Sequence, residues 1–97
     1  MVIGQGKQGE KMQKLLVSVK DLKAGTWSVP AAADNIACAC RMFGDLVKDG
    51  RTLVGQHPED FELYIVGDFD LSTGELGADK DVPKRIAVGR DFVKDGD

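Results

Sequence analysis

Aromatic residues, cysteines and long apolar runs are all scarce in this 97-residue chain. Aromatic residues make up 6% of it, which argues against a wide base-stacking surface. No apolar run approaches the roughly 20 residues that span a bilayer, and none follows the first residues as a signal peptide would require. Cys38 and Cys40 point about 200° apart on a helix, which excludes a mutual disulfide. Unbridged thiols are typical of a reducing compartment.

Charge is plentiful, but it is unevenly distributed along the chain. The net charge is -3 and the sequence pI is about 5.1. Residues 1–23 carry five Lys against Glu10 and Asp21, whereas the remainder is strongly acidic. The acidic total argues against a general nucleic-acid binder, whereas the basic start suits phosphate contacts. We therefore expect a flexible, glycine-rich basic leader at residues 1–11 and a single domain at residues 12–97.

The apolar pattern predicts an α+β fold in which one helix packs on a small, mostly antiparallel sheet, in a ββαββ-like order. A turn at residues 21–25 joins the first two strands into a hairpin. The strongest strand pattern covers residues 61–69, and apolar residues on both of its faces indicate a central strand. The other predicted strands cover residues 12–20, 26–29, 75–77 and 86–89.

A helix is predicted over residues 33–48. Its apolar stripe consists of Ile36, Cys40, Phe43 and Val47, at helical spacing, and is widened by Ala39 and Leu46. The alanines at 31–33 favour a helix, and Asp34 is the expected cap or first-turn acid. In this arrangement Cys40 belongs to the core and Cys38 is half exposed.

One helix can cover only one face of a sheet. Phe61, Leu63, Ile65 and Gly67 are expected on the covered face of the central strand, because side chains alternate along a strand. The opposite face, with Tyr64 and Trp27, is then exposed or occupied by a partner. An exposed apolar face in so small a domain leads us to expect a homo-oligomer.

Three motifs resemble sites without meeting their requirements. Residues 4–9 match G-x-G-x-x-G, but no strand precedes them and no helix follows. Residues 68–79 resemble a calcium loop, but Thr73 replaces the required glycine, and a hairpin turn explains them better. His57 could act as a general base, but no Ser or Cys with a nucleophile signature accompanies it. The run from Pro58 to Asp60 is more typical of a helical turn. We expect no enzyme activity, no catalytic residue, no cofactor and no metal site.

The lysines near the first hairpin form the patch best suited to nucleic acid. Phosphates would contact these lysines while a base stacks on the nearby indole. An exposed arginine on the helix is a further candidate for a phosphate contact. The tentative nucleic-acid-binding residues are Lys14, Lys20, Lys23, Trp27 and Arg41.

Several segments resemble a known family. Residues 57–64 (His57, Pro58, Glu59, Asp60, then a strand with Tyr64), 67–70 from Gly67, and 73–75 resemble the small non-structural, ORF5-like protein of gokushovirus-type microviruses, which are single-stranded DNA phages. Residues 39–43 fit that family's Ala-x-Arg-x-Phe helix segment, and residues 86–91 resemble its closing segment. The resemblance covers about residues 12–91. Residues 1–11 look like an extension, or the natural start is Met12.

The resemblance implies a bacteriophage protein that is made in the host cytoplasm, is absent from the virion and takes part in viral DNA replication. The switch from double-stranded to single-stranded synthesis is the role it suggests. The family brings no catalytic residues. Two functions stay open: a non-enzymatic protein that handles single-stranded DNA or contacts replication proteins, and an acidic dimeric module that binds a host or phage protein.

Overall fold

The computed structural model describes residues 12–93, and the expected leader at residues 1–11 lies outside them. Within this range a six-stranded sheet and one main helix confirm the predicted α+β class. The strands are β1 (Gln13–Asp21), β2 (Thr26–Trp27), β3 (Ala31–Ala33), β4 (Phe61–Asp70), β5 (Leu76–Gly77) and β6 (Lys84–Val88). The helices are α1 (Ile36–Lys48) and α2 (Leu53–Gln56), with short 3-10 turns at Pro58–Asp60 and Gly89–Phe92.

The two long strands, β1 and β4, form the centre of the sheet and pair antiparallel along their whole length. Strands β2 and β3 pair with the outer side of β1, whereas β5 and β6 pair with the outer side of β4. The central position predicted for residues 61–69 is therefore confirmed. In the described residues, no helix is long and apolar enough to cross a membrane.

A β-bulge in β4 corrects one expectation about its faces. Val17 pairs with Ile65, but Leu16 pairs with Gly67, so Val66 is the extra residue. A bulge inserts one residue and shifts the alternation of side chains. Gly67 therefore lies in the row of Leu16, on the face opposite to Ile65, and not on the covered face. A Cβ atom at Gly67 would come within 2.6 Å of the Gly77 carbonyl oxygen, so glycine permits β5 to approach.

The start of α1 also differs from the prediction. Asn35 caps the helix, because its side chain accepts a hydrogen bond of 2.8 Å from the Cys38 N–H. Asp34 is not the cap; its carboxylate pairs with Lys14. The three alanines form β3, since pairing with β1 satisfies their backbone groups and buries Ala33. This tertiary gain exceeds the weak local preference of alanine for a helix.

The core lies between α1 and one face of the sheet. Phe43 is 1% exposed and meets Phe92 edge to face, with ring centroids 5.7 Å apart. Phe92 also explains Gly44, because a Cβ atom there would lie 2.9 Å from the Phe92 ring. The buried apolar residues are Val17, Ala33, Ala39, Phe43, Val47, Phe61 and Leu63.

The predicted apolar stripe of the helix is partly wrong. Ile36 is 48% exposed, because it lies at the first turn, beyond the sheet contact. Cys40 is half-buried and so is Cys38, so Cys40 does not belong to the buried core. Ala39 takes the fully buried position instead. Alanine fits there because its small side chain allows the helix to lie close to the sheet.

Local side-chain contacts build the two turns at the ends of the sheet. The Asp21 carboxylate accepts hydrogen bonds from the N–H groups of Lys23 and Ala24, each at 3.0 Å. The Asp70 carboxylate accepts from the Ser72 N–H at 2.8 Å and from its hydroxyl at 2.7 Å. These bonds hold the pKa of Asp70 below its usual value. The hairpin-turn interpretation of this segment is confirmed.

Candidate nucleic-acid interface on the open face of the sheet

Side chains that alternate with the core positions point away from α1 and form the surface called here the open face. Cross-strand pairing arranges its central part in two neighbouring rows, because paired residues share a face of the sheet. The first row runs across four strands, and the second row lies one pleat further along. The rows contain Trp27, Lys20, Glu62 and Val88, and then Ser18, Tyr64 and Arg85.

An aromatic pair on the open face connects the outer strand β2 to the central strand β4. The rings of Trp27 and Tyr64 meet edge to face, with centroids 4.9 Å apart and an interplanar angle of 69°. Trp27 remains 41% exposed, so part of the indole is available for stacking. The Lys20 ammonium lies 5.3 Å from the indole centroid, within range of a cation–π contact. The site therefore combines an accessible aromatic ring with an adjacent cation.

Glu62 lies beside the aromatic pair and connects two side chains. The Tyr64 hydroxyl donates a hydrogen bond of 2.8 Å to its Oε1, and an Arg85 guanidinium N–H donates one of 3.1 Å to Oε2. The Glu62 side chain is only 15% exposed, whereas that of Arg85 is 57% exposed. The hydrogen bond to the carboxylate raises the pKa of Tyr64, because it stabilises the protonated phenol. Arg85 thus adds a second cation to the open face.

Ser18 fixes the edge of the sheet that carries Trp27. Ser18 is buried, and its hydroxyl donates a 2.6 Å hydrogen bond to the Ser28 carbonyl oxygen. In return, the Ser28 hydroxyl accepts from the Val19 N–H at 2.9 Å, and the Ser28 N–H donates to the Val19 carbonyl oxygen. These bonds tie the residue after Trp27 to β1. The two-residue strand β2 thereby gains a firm attachment beyond its own pairing.

A family model described as phage ORF5 protein matches residues 14–92. The chain belongs to the phage ORF5 protein family. The match includes all of α1 and β2 to β6, and therefore the aromatic pair and Glu62. It confirms the bacteriophage origin that the sequence resemblance implied, while the more specific assignment to gokushoviruses stays a prediction. No curated protein and no solved structure matches the chain.

The five tentative DNA-binding residues of this ORF5-family protein lie in different places. Lys20 and Trp27 are in contact on the open face. Lys14 shares that face by strand alternation, but it lies toward the far end of β1 and pairs with Asp34. Lys23 is exposed in the turn between β1 and β2. Arg41 is exposed on α1, which covers the opposite face, so the fold separates it from Trp27.

Arg85 and Glu62 are the parts of the site that the sequence interpretation missed. Arg85 follows Tyr64 by 21 positions, and no local motif connects the two. The pairing of β4 with β6 brings them together, after a register shift between Leu63 and Tyr64. A basic residue in a short late strand was the only available signal. That signal has no meaning until the partner strand is known.

The family-motif residues before β4 form a separate feature. Pro58–Asp60 is a 3-10 turn with proline at its start, as predicted. The Asp60 carbonyl oxygen accepts a 2.8 Å hydrogen bond from the Leu22 N–H, which connects this turn to the first hairpin. One ring nitrogen of His57 and one carboxylate oxygen each of Glu59 and Asp60 lie within 4.8 Å of one another. The motif thus serves the architecture, since it starts β4 and supports the neighbouring turn.

Proposed function

We propose that this phage protein acts without catalysis in viral DNA replication, by holding single-stranded DNA on the open face of its sheet. The observation that carries the proposal is the exposed indole of Trp27, which packs against Tyr64 and has the cation Lys20 beside it, while a second cation, Arg85, pairs with Tyr64. This combination is typical of proteins that bind single strands with little sequence preference. We assign no catalytic role to any residue.

The geometry suits a base and its adjoining phosphates. A base stacked on an aromatic side chain contributes about 1–3 kcal/mol to binding. Trp27 offers part of its ring to solvent, while the edge-to-face contact with Tyr64 holds the ring in place. Lys20 pairs with Trp27 across β1 and β2, and Arg85 pairs with Tyr64 across β4 and β6, so each aromatic residue has a cation beside it for a phosphate of an extended strand. Stacking and charge thus act at adjacent positions.

The distribution of charge removes the objection raised by the acidic composition. The chain carries a net charge of -3, but the open face carries Lys14, Lys20 and Arg85, opposed by Glu62 beside Arg85 and by Asp34, which pairs with Lys14. Phosphates respond to the local potential within about 10 Å at moderate salt. The acidic residues in the turns and loops therefore oppose binding less than the net charge suggests.

The experiment is a fluorescence-anisotropy titration of a labelled single-stranded oligonucleotide at low and moderate salt. We expect Trp27→Ala to weaken binding about tenfold or more through lost stacking. Lys20→Gln should reduce the log–log salt slope by about 0.7, the value for one phosphate contact on a single strand. Arg41→Gln is the matched control, because it removes an exposed cation on α1, which lies on the opposite side of the sheet from the open face. No anisotropy change for the wild type at low salt would reject the proposal.

A second candidate function is the acidic dimeric module that binds a protein. It is favoured by an apolar groove between α1 and β1, whose rim includes the exposed side chains of Met42 and Leu46. Light scattering across a wide concentration range tests the dimer, and Leu46→Glu should dissociate it. A monomer at every concentration would contradict this alternative.

A further inference from the structure

We propose that Glu62 makes the open face prefer single-stranded over duplex DNA, by opposing phosphates at the centre of the site while tolerating a neutral base. The inference rests on the proposed function, because it concerns the same surface. It assigns to Glu62 the role of a specificity-determining residue. Besides connecting Tyr64 and Arg85, this carboxylate lowers the attraction of the surface for any phosphate.

The position of Glu62 supports this role. It lies opposite Lys20 on β1 and is hydrogen-bonded to Arg85, so it is next to a cation on each of its two neighbouring strands. Its side chain is 15% exposed and held at both oxygens, by Tyr64 and by Arg85. The charge is therefore fixed in place and cannot swing away from an approaching ligand. A phosphate brought to the centre of the face would meet this fixed negative charge.

Duplex and single-stranded DNA differ in what they present to such a surface. A duplex keeps its bases stacked inside and offers a sheet-like face mainly phosphates, so its non-specific affinity depends on cations. A single strand can turn a base onto Trp27 and leave its phosphates at the edge of the site. The carboxylate then penalises the duplex more than the single strand. Specificity of this kind arises from repulsion of the wrong ligand as much as from attraction of the right one.

The ion pair with Arg85 acts in the same direction. Arg85 donates one N–H to Glu62, and its side chain is 57% exposed. Part of its charge is thus neutralised before DNA arrives. Removing the carboxylate would release the whole guanidinium for a phosphate contact, and a duplex would benefit most.

The test measures binding of the full chain to one oligonucleotide in single-stranded form and in duplex form. Glu62→Gln removes the charge, while its amide oxygen still accepts from the Tyr64 hydroxyl. We expect its ratio of duplex to single-strand Kd to fall at least about threefold, with a steeper duplex salt slope from the added phosphate contact. Asp45→Asn is the matched control, because Asp45 is exposed on α1, on the covered side. This control should leave the ratio unchanged.

Each outcome separates the two proposals. If the wild type binds no single strand, the proposed function fails, and this inference fails with it. If the wild type binds but Glu62→Gln leaves the ratio unchanged, only the role of Glu62 is rejected. Circular dichroism checks folding, and a tyrosine absorbance titration should show a lower Tyr64 pKa in the variant. If Glu62→Gln does not fold, Glu62→Ala replaces it, because it also removes the charge, and the same fall in the ratio of at least about threefold is expected.

Discussion

The two faces of the sheet use the same strands for opposite purposes. On the covered face, Val17 and Leu63 are buried in the apolar core under α1. On the open face, the residues next to them in sequence, Ser18 and Tyr64, take part in hydrogen bonds and an aromatic contact. Burial of apolar area stabilises the first face. The second face retains an exposed ring and exposed cations, so the comparison shows that stability and the proposed binding depend on separate sets of side chains.

The largest expected effect is on the covered face. Phe43→Ala should lower the free energy of unfolding by about 3–5 kcal/mol, because it empties the centre of the core. Trp27→Ala on the open face should lower the free energy of unfolding much less, since the indole is partly exposed in the native state. Urea denaturation of both variants measures the contrast. Equal losses would show that the open face also serves as core.

A smaller loss is expected at the contact between α1 and Phe92. Gly44→Ala improves helix propensity by about 1 kcal/mol, but the new methyl group overlaps the Phe92 ring. Overpacking typically costs about 1–3 kcal/mol, so we expect net destabilisation or at best no gain. Gly50→Ala is the control, because a Cβ atom there meets nothing within 4 Å. Thermal unfolding compares the two, and a clear stabilisation by Gly44→Ala would contradict the close packing.

The cap of α1 offers a more local test of how the covering helix begins. Asn35→Ala should cost about 1 kcal/mol, because the Cys38 N–H loses its partner. Asp34→Ala should cost less, since it removes only an ion pair at the surface. Urea denaturation of both variants shows which of the two residues caps α1. The reverse order would restore Asp34 as the cap.

The smallest effect concerns pH and the open face. The raised pKa of Tyr64 means that the folded state holds the phenolic proton more tightly than the unfolded state. This contribution is complete below the unfolded value of about 10 and is lost as pH rises through the folded value. From about pH 9 to about pH 11, around the usual tyrosine pKa, the free energy of unfolding of the wild type should therefore decline more than that of Tyr64→Phe. Urea denaturation at each pH measures both. Parallel declines would show that Glu62 does not hold the phenol in solution.

Short-range patterns in the sequence were enough to predict the general architecture. Alternation of apolar residues located β1 and β4, and the Asp and Gly residues located the turns at residues 21–25 and 70–74. The apolar spacing around Phe43 located α1. Strand alternation also indicated that Trp27 and Tyr64 lie away from the helix. All of these features depend on residues close together in the chain, where steric and hydrogen-bonding preferences act directly.

Only the tertiary structure decided the features that depend on distant partners. Ala31–Ala33 became a strand because β1 was available to pair with it, and Gly67 changed face because β4 accommodates a bulge. Arg85 joined Tyr64 and Glu62 because β6 pairs with β4, and Trp27 reached Tyr64 because β2 and β4 lie on opposite sides of β1. The physical reason is that a local preference amounts to a fraction of 1 kcal/mol per residue, whereas pairing and burial together contribute more. The sequence by itself determined that the helix leaves one face of the sheet uncovered. The register in which β2, β1, β4 and β6 pair decided which side chains meet on that face.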